Sequence, residues 1–211
     1  MNNKPLVVLY GGTFNPIHFG HLKPVASLSK FFDIKELIYI PCHIPPHKDK
    51  PALSAFHRLE MTKLAVREFS FAFSTGVSDY ELNRSEASYS LTTIDYFIDK
   101  YAHDELAFLV GLDSLLNFTS WFQWQEILKK VHLIVMTRPG YQIETASLAP
   151  ELHGQLGKRI HLVETDNVDI SSTKIRKCFS TKLNDFSASP ELNDLLPSSI
   201  IEYIKKHELC F

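Results

Sequence analysis

Short apolar runs alternate with longer amphipathic stretches along this chain, and the alternation predicts its elements. Leu6–Tyr10, Glu36–Cys42, Phe71–Asp79, Glu105–Gly111, His132–Arg138 and Arg159–Thr165 are rich in Val, Ile, Leu or Phe and too short for buried helices, so they read as strands. Helix-like segments lie between and after them: Leu22–Phe32, Ala55–Glu68, Tyr89–Tyr101, Ser120–Lys130, Thr173–Ser180 and Ser198–His207. Strands apolar on both faces and separated by helices call for a parallel sheet covered on both sides. The expected fold class is α/β, a Rossmann-like doubly wound parallel sheet flanked by helices, with a small C-terminal helical part from about residue 171. Residues 1–211 are expected to form one domain, with the polar stretch Gly140–Lys158 as a surface excursion before the last strand.

Composition narrows the class. Hydrophobic residues make up 45% of the chain, enough for a proper core. Lysine plus arginine (22) nearly balances aspartate plus glutamate (24), so there is no global basic field and nucleic acid is not an expected partner. Any anion site must be local. Cys42, Cys178 and Cys210 are scattered, which suits reduced thiols and a cytoplasmic setting. No run approaches the ~18 apolar residues of a membrane span, so a soluble protein without a membrane partner is expected.

The stretch GGTFNPIHFGH after the first apolar run places three of the chain's 8 glycines beside His18 and His21. At the carboxyl end of a strand, Gly11 and Gly12 would let a ligand approach the backbone and would permit positive φ. Thr13 and Asn15 offer local hydrogen bonds, and Pro16 stiffens the turn. A helix start near Gly20 is expected, because Pro24 is tolerated in a first turn. His21 then stands at a helix N-terminus, where an anion is favoured and where a phosphate would raise a histidine's pKa. His18, three residues earlier, can point the same way. Other readings of this pair are a metal site completed by Cys42, His43 and His47, or two incidental surface residues. Neither a dinucleotide G-x-G-x-x-G nor a G-x-x-x-x-G-K-[ST] loop occurs.

A second constellation, DISSTKIR, runs from Asp169 to Arg176. Ser171, Ser172 and Thr173 are helix-capping residues able to bind phosphate oxygens, with Lys174 and Arg176 adding charge. Alone it reads most simply as a good N-cap.

Together the two motifs resemble the nucleotidylyltransferase superfamily. Four further segments, PPHK (Pro45–Lys48), SYS (Ser88–Ser90), VGLDSLLNFTSW (Val110–Trp121) and TRPGY (Thr137–Tyr141), occur in the order seen in bacterial nicotinate-nucleotide adenylyltransferases. The resemblance covers residues 5 to 207 and implies transfer of the adenylyl group of ATP to nicotinate mononucleotide, on the route to NAD. It implies an ATP site of Gly11, Gly12, Thr13, Phe14, His18, His21, Gly111, Asp113, Arg138, Ser171, Ser172, Thr173 and Arg176. His18, His21 and Arg176 would carry the chemistry, by stabilising charge and not by shuttling protons. It implies a mononucleotide site of His47, Lys48, Ser90, Trp121 and Phe122, with Trp121 stacking on the pyridine ring. Mg²⁺ would travel with the substrate phosphates, so no dedicated protein metal site is expected.

Asn15 departs from the aspartate of many relatives and keeps an acceptor oxygen without the charge. The shared ATP motifs leave nicotinamide mononucleotide and phosphopantetheine open as acceptors, and a nucleotide-binding module without turnover is the reading from another class. ATP and the mononucleotide are the expected partners, and a homo-oligomer is left open.

Overall fold

The computed structural model of the chain describes residues 4–44, 51–84, 86–138, 140, 147–166, 170–181 and 190–210. Six strands, β1 (Leu6–Gly12), β2 (Ile34–Pro41), β3 (Ser74–Val77), β4 (Glu105–Gly111), β5 (His132–Thr137) and β6 (Ile160–Glu164), form one parallel sheet in the order β3-β2-β1-β4-β5-β6. The order reverses between β1 and β4, and the carboxyl ends of strands flanking such a switch point are where a ligand crevice opens.

The described helices are α1 (Phe19–Ala26), α2 (Ala55–Glu68), α3 (Ser90–Lys100), α4 (Leu112–Leu116), α5 (Trp124–Lys130), α6 (Pro150–His153), α7 (Ser172–Thr181), α8 (Pro190–Leu195) and α9 (Ser198–Lys206). The period of two in β1 sorts them. Leu6, Val8 and Tyr10 join a core with Leu22, Met61, Ile175, Phe179 and Ile200, on the face covered by α1, α2, α7, α8 and α9. Val7 and Leu9 face the other way, into a core with Ile94, Phe97, Leu115, Ile127 and Leu152 from α3, α4, α5 and α6. The C-terminal helices therefore share a core with the sheet itself.

Several boundaries differ from expectation, each for a local reason. β3 is shorter than Phe71–Asp79: it starts at Ser74, and ahead of it Phe69, Phe71 and Phe73 pack as tilted rings with centroids 5.0 and 5.8 Å apart. The segment expected as Leu22–Phe32 starts at Phe19 and tightens into a 3₁₀ turn over Ser27–Lys30. Pro24 lies at the sixth helical position, not in the first turn, so Gly20 loses its usual i+4 donor and the α-helix is short. Ser120–Lys130 divides at Gln123, whose φ of 50° is left-handed, so α5 begins only at Trp124. The stretch read as a polar excursion contains α6, anchored by buried Leu148 and Leu152.

Candidate active site

A cleft of about 1220 Å³ opens at the carboxyl ends of β1 and β4 and collects both sequence motifs on its walls. Gly11, Gly12, Thr13, Phe14 and His21 line it from the β1–α1 connection, and Ser172, Thr173 and Arg176 from α7. Gly111 and Asp113 line it where β4 runs into α4, and Ser90, Trp121 and Phe122 complete this part of the lining. That volume exceeds the several hundred Å³ of an ordinary small-ligand pocket.

The glycines of the opening motif have specific neighbours. A Cβ at Gly12 would stand 2.7 Å from the Phe14 ring, and one at Gly20 would stand 2.9 Å from the His18 ring. Neither Gly11 nor Gly12 uses the positive φ expected of them; the left-handed residue is Phe14, at φ 47°. Phe14 turns its buried ring edge-on to His21 (centroids 5.2 Å), and the His18 ring packs against the His21 ring with centroids 3.8 Å apart. The His18 N–H donates to Nδ1 of His21 (3.3 Å), which leaves the proton of a neutral His21 ring on Nε2 as a donor. His21 is thus fixed in place and tautomer on the cleft wall.

His18 is different. It is 4% exposed, Nδ1 has no hydrogen-bond partner, and burial followed by the neighbouring His21 pushes its pKa down to about 2. Burial therefore keeps the His18 ring neutral.

The two motifs are tied to each other through backbone carbonyls. Arg176 Nη1 donates to the Asn15 carbonyl (2.8 Å) and Nη2 to the Thr173 hydroxyl (3.1 Å), while the Ser172 hydroxyl donates to the Pro16 carbonyl (3.1 Å). Asn15 is buried, and its Oδ1 accepts from the Leu53 N–H (3.3 Å). Its neutral amide therefore has a structural use. Ser171 is exposed and accepts from the Lys174 N–H (3.2 Å), the simple capping role.

A cytidylyltransferase-like family profile matches residues 9–178. A Pectobacterium atrosepticum protein described as a probable nicotinate-nucleotide adenylyltransferase is 38% identical, over 97% of this chain and 98% of its own. The Salmonella typhi nicotinate-nucleotide adenylyltransferase is 34% identical over 98% and 99%. The chain belongs to the cytidylyltransferase-like family, among its nicotinate-nucleotide adenylyltransferases. The Plasmodium falciparum nicotinic acid mononucleotide adenylyltransferase, solved in complexes with APC and with NaAD, shares the fold at a TM-score of 0.76 and 21% identity, over 97% of this chain.

Within this adenylyltransferase fold, the structure brings most of the expected site residues together. Arg138 is exposed and lies off the cleft wall, as does Ser171, and His18 sits beneath the wall and not on it. His47 and Lys48 lie outside the described residues. Trp121 is half-buried, 5.3 Å from Phe118, and Phe122 is exposed beside Tyr89 at 5.1 Å. Among the described residues no three of His, Cys, Asp and Glu converge as metal ligands; the carboxylates on the cleft wall are Glu81 and Asp113.

Two buried charged groups escaped the motif reading. Arg58 on α2 is 1% exposed and donates to the Thr13 carbonyl (2.7 Å) and the His43 carbonyl (3.3 Å). The signal was present: Arg58 occupies the apolar stripe of α2 with Met61, Thr62, Ala65 and Val66, a place where a charge needs a reason. Glu81 is buried at the cleft wall, and no sequence signal marked it.

Proposed function

We propose that this chain, acting as one domain in the cytoplasm, transfers the adenylyl group of ATP to nicotinate mononucleotide and releases pyrophosphate. The observation that carries the reading is the meeting of both phosphate-binding motifs and the aromatic acceptor wall in one cleft, fastened by Arg176 and Ser172. The names of the close relatives and the NaAD complex of the structural neighbour support the same reaction.

In this reading a 5′-phosphate oxygen of the mononucleotide forms a bond to the α-phosphorus of ATP as the bond to the β-phosphate oxygen breaks. No protein nucleophile is needed, so positioning and charge stabilisation do the catalysis. His21 donates from Nε2 to the reacting phosphoryl group. Arg176 has more N–H donors than its two protein bonds use and holds the leaving pyrophosphate with Ser172 and Thr173. His18 orients His21, and the open space beside Gly111, where a Cβ would meet nothing within 4 Å, receives the adenosine near Asp113. Trp121 stacks on the pyridine ring, while Ser90 at the start of α3 and the backbone N–H groups around Phe122 meet its carboxylate. Mg²⁺ carried by the triphosphate would shield its charge, with most of its ligands supplied by phosphate oxygens and water.

Pyrophosphate release with ATP and, separately, nicotinate mononucleotide, nicotinamide mononucleotide and phosphopantetheine tests this. The acid mononucleotide is expected to exceed its amide by at least about 10²-fold in kcat/KM, because an amide leaves carboxylate-directed donors poorly paired. Release with none of the three would overturn the reaction, and equal efficiency with acid and amide would overturn the acceptor choice.

A further inference from the structure

Between β3 and α3 the chain buries a carboxyl group in the cleft wall, beside the turn that leads into Ser90. Glu81 is 6% exposed; its Oε1 accepts from the Thr93 hydroxyl of α3 (2.7 Å), and its Oε2 is buried without a hydrogen-bond partner. The Ser88 hydroxyl and the charges of Arg84, from its own turn, and Arg58, from α2, favour its ionised form. The same neighbours hold the next stretch of wall. Ser88 Oγ accepts from the His43 N–H (3.1 Å), the Ser88 N–H donates to the Ile44 carbonyl (3.1 Å), and the His43 ring bonds to the Arg84 carbonyl (2.7 Å). Glu81 thus stands at the junction of the segment after β2, the Ser88–Ser90 turn and α3.

Resting on the adenylyl-transfer reading, we propose that Glu81 is a positioning residue for the acceptor: as a carboxylate it holds the Ser88–Ser90 turn against His43 and Ile44, and its protonation slackens that wall. The reason lies in the donors around it. As a carboxylate Glu81 accepts from the Thr93 hydroxyl on Oε1, and its charge is favoured by the Ser88 hydroxyl and by Arg84 and Arg58. Protonation gives up one acceptor position and removes the charge that Arg84 and Arg58 favour, so the hold on the Thr93 and Ser88 hydroxyls weakens. Burial raises the Glu81 pKa, while Thr93, Ser88, Arg84 and Arg58 pull it down, and the net shift is upward, so protonation falls at milder acidity than for a free glutamate.

Glu81→Gln keeps the shape and removes the charge. It is expected to raise the KM and the calorimetric Kd for nicotinate mononucleotide about 10-fold, with the KM for ATP changed by less than about 2-fold, the scale of one hydrogen bond to a charged group. The wild type should also show an acid limb in kcat/KM for the mononucleotide that Glu81→Gln lacks and the charge-retaining Glu81→Asp keeps. ATP and mononucleotide KM values rising together, an unchanged mononucleotide Kd, or an acid limb persisting in Glu81→Gln would each overturn the proposal. Should Glu81→Gln fail to fold, Thr93→Val, which removes the Oε1 donor, is read on the same two constants. Absence of turnover in the wild type would instead refute the adenylyl-transfer reading, and the mononucleotide Kd of the two proteins would still decide the role of Glu81.

Discussion

The two ends of the cleft are built on different principles. At the end proposed for ATP, shape and backbone dominate: Gly12 and Gly20 clear space for the Phe14 and His18 rings, those rings brace His21, and Arg176 and Ser172 fasten on backbone carbonyls. At the end proposed for the acceptor, buried charge and aromatic surface take over, with Glu81, Tyr89, Trp121 and Phe122 on the wall, while Arg58 joins the two by donating to the Thr13 and His43 carbonyls. An end made from backbone geometry tolerates few substitutions near it. An end made from side chains can change its ligand by changing a few of them.

The sharpest way to break this contrast is at His21. If it acts on the reacting phosphoryl group, His21→Ala should lower kcat by about 10²-fold or more with a smaller change in KM, the cost of losing one preorganised donor. A kcat near wild type would remove His21 from the chemistry. Acid offers the next test, through His18. Its folded pKa lies far below the ~6.5 of an unfolded histidine, so the unfolded chain gains a proton that the folded chain refuses as pH falls below that value. His132 and His161, also lowered first by burial, add in the same direction. Stability fully present above pH 6.5 should be lost on the order of tenfold in the folding constant per pH unit below it. Urea midpoints between pH 7.5 and 5 check this, and a slope unchanged in His18→Gln would exclude His18 as its source.

Arg176→Lys separates the two ends more directly. An ammonium cannot reach the Asn15 carbonyl, Thr173 and a phosphate at once, so ATP affinity should fall about tenfold while mononucleotide affinity holds. Separate titrations of the two ligands read it, and a matched loss for both would show that the clamp supports the whole cleft. Trp121→Ala is the converse and smaller test. Lost stacking of about 1 kcal/mol should weaken both the acid and the amide mononucleotide several-fold and leave ATP binding unaltered; a shift in ATP affinity would place Trp121 at the wrong end.

The same contrast explains what could be read in the chain. Glu105–Gly111 and Ala55–Glu68 fall where hydrophobic periodicity puts them, because each is a continuous element whose pattern is local. The ATP-end motifs were legible for a similar reason, as helix caps and a strand-to-helix turn that follow one another within a few residues. The reason for the glycines was not legible, because a Cβ at Gly12 or Gly20 clashes with rings whose rotamers no pattern reveals. The Arg58 side chain has partners in other parts of the chain, the Thr13 and His43 carbonyls, and Glu81 lies in a turn where no periodic pattern marks a carboxylate as buried; Arg138 was carried onto the cleft by resemblance although it stands clear of the wall. Pro24 misled in a different way: a short helix that ends in a 3₁₀ turn accommodates it beyond the first turn.

The bonds from Arg176 and Ser172 to Asn15 and Pro16 span 161 and 156 residues. During synthesis, every strand of the sheet has left the ribosome before α7 does, so a nascent chain can assemble its sheet while its nucleotide loop is still unclasped. The order of emergence makes the loop's final shape a late event in biogenesis. A growing chain halted before α7 would have all six strands and lack the clasp, so closure of the loop would mark the emergence of α7.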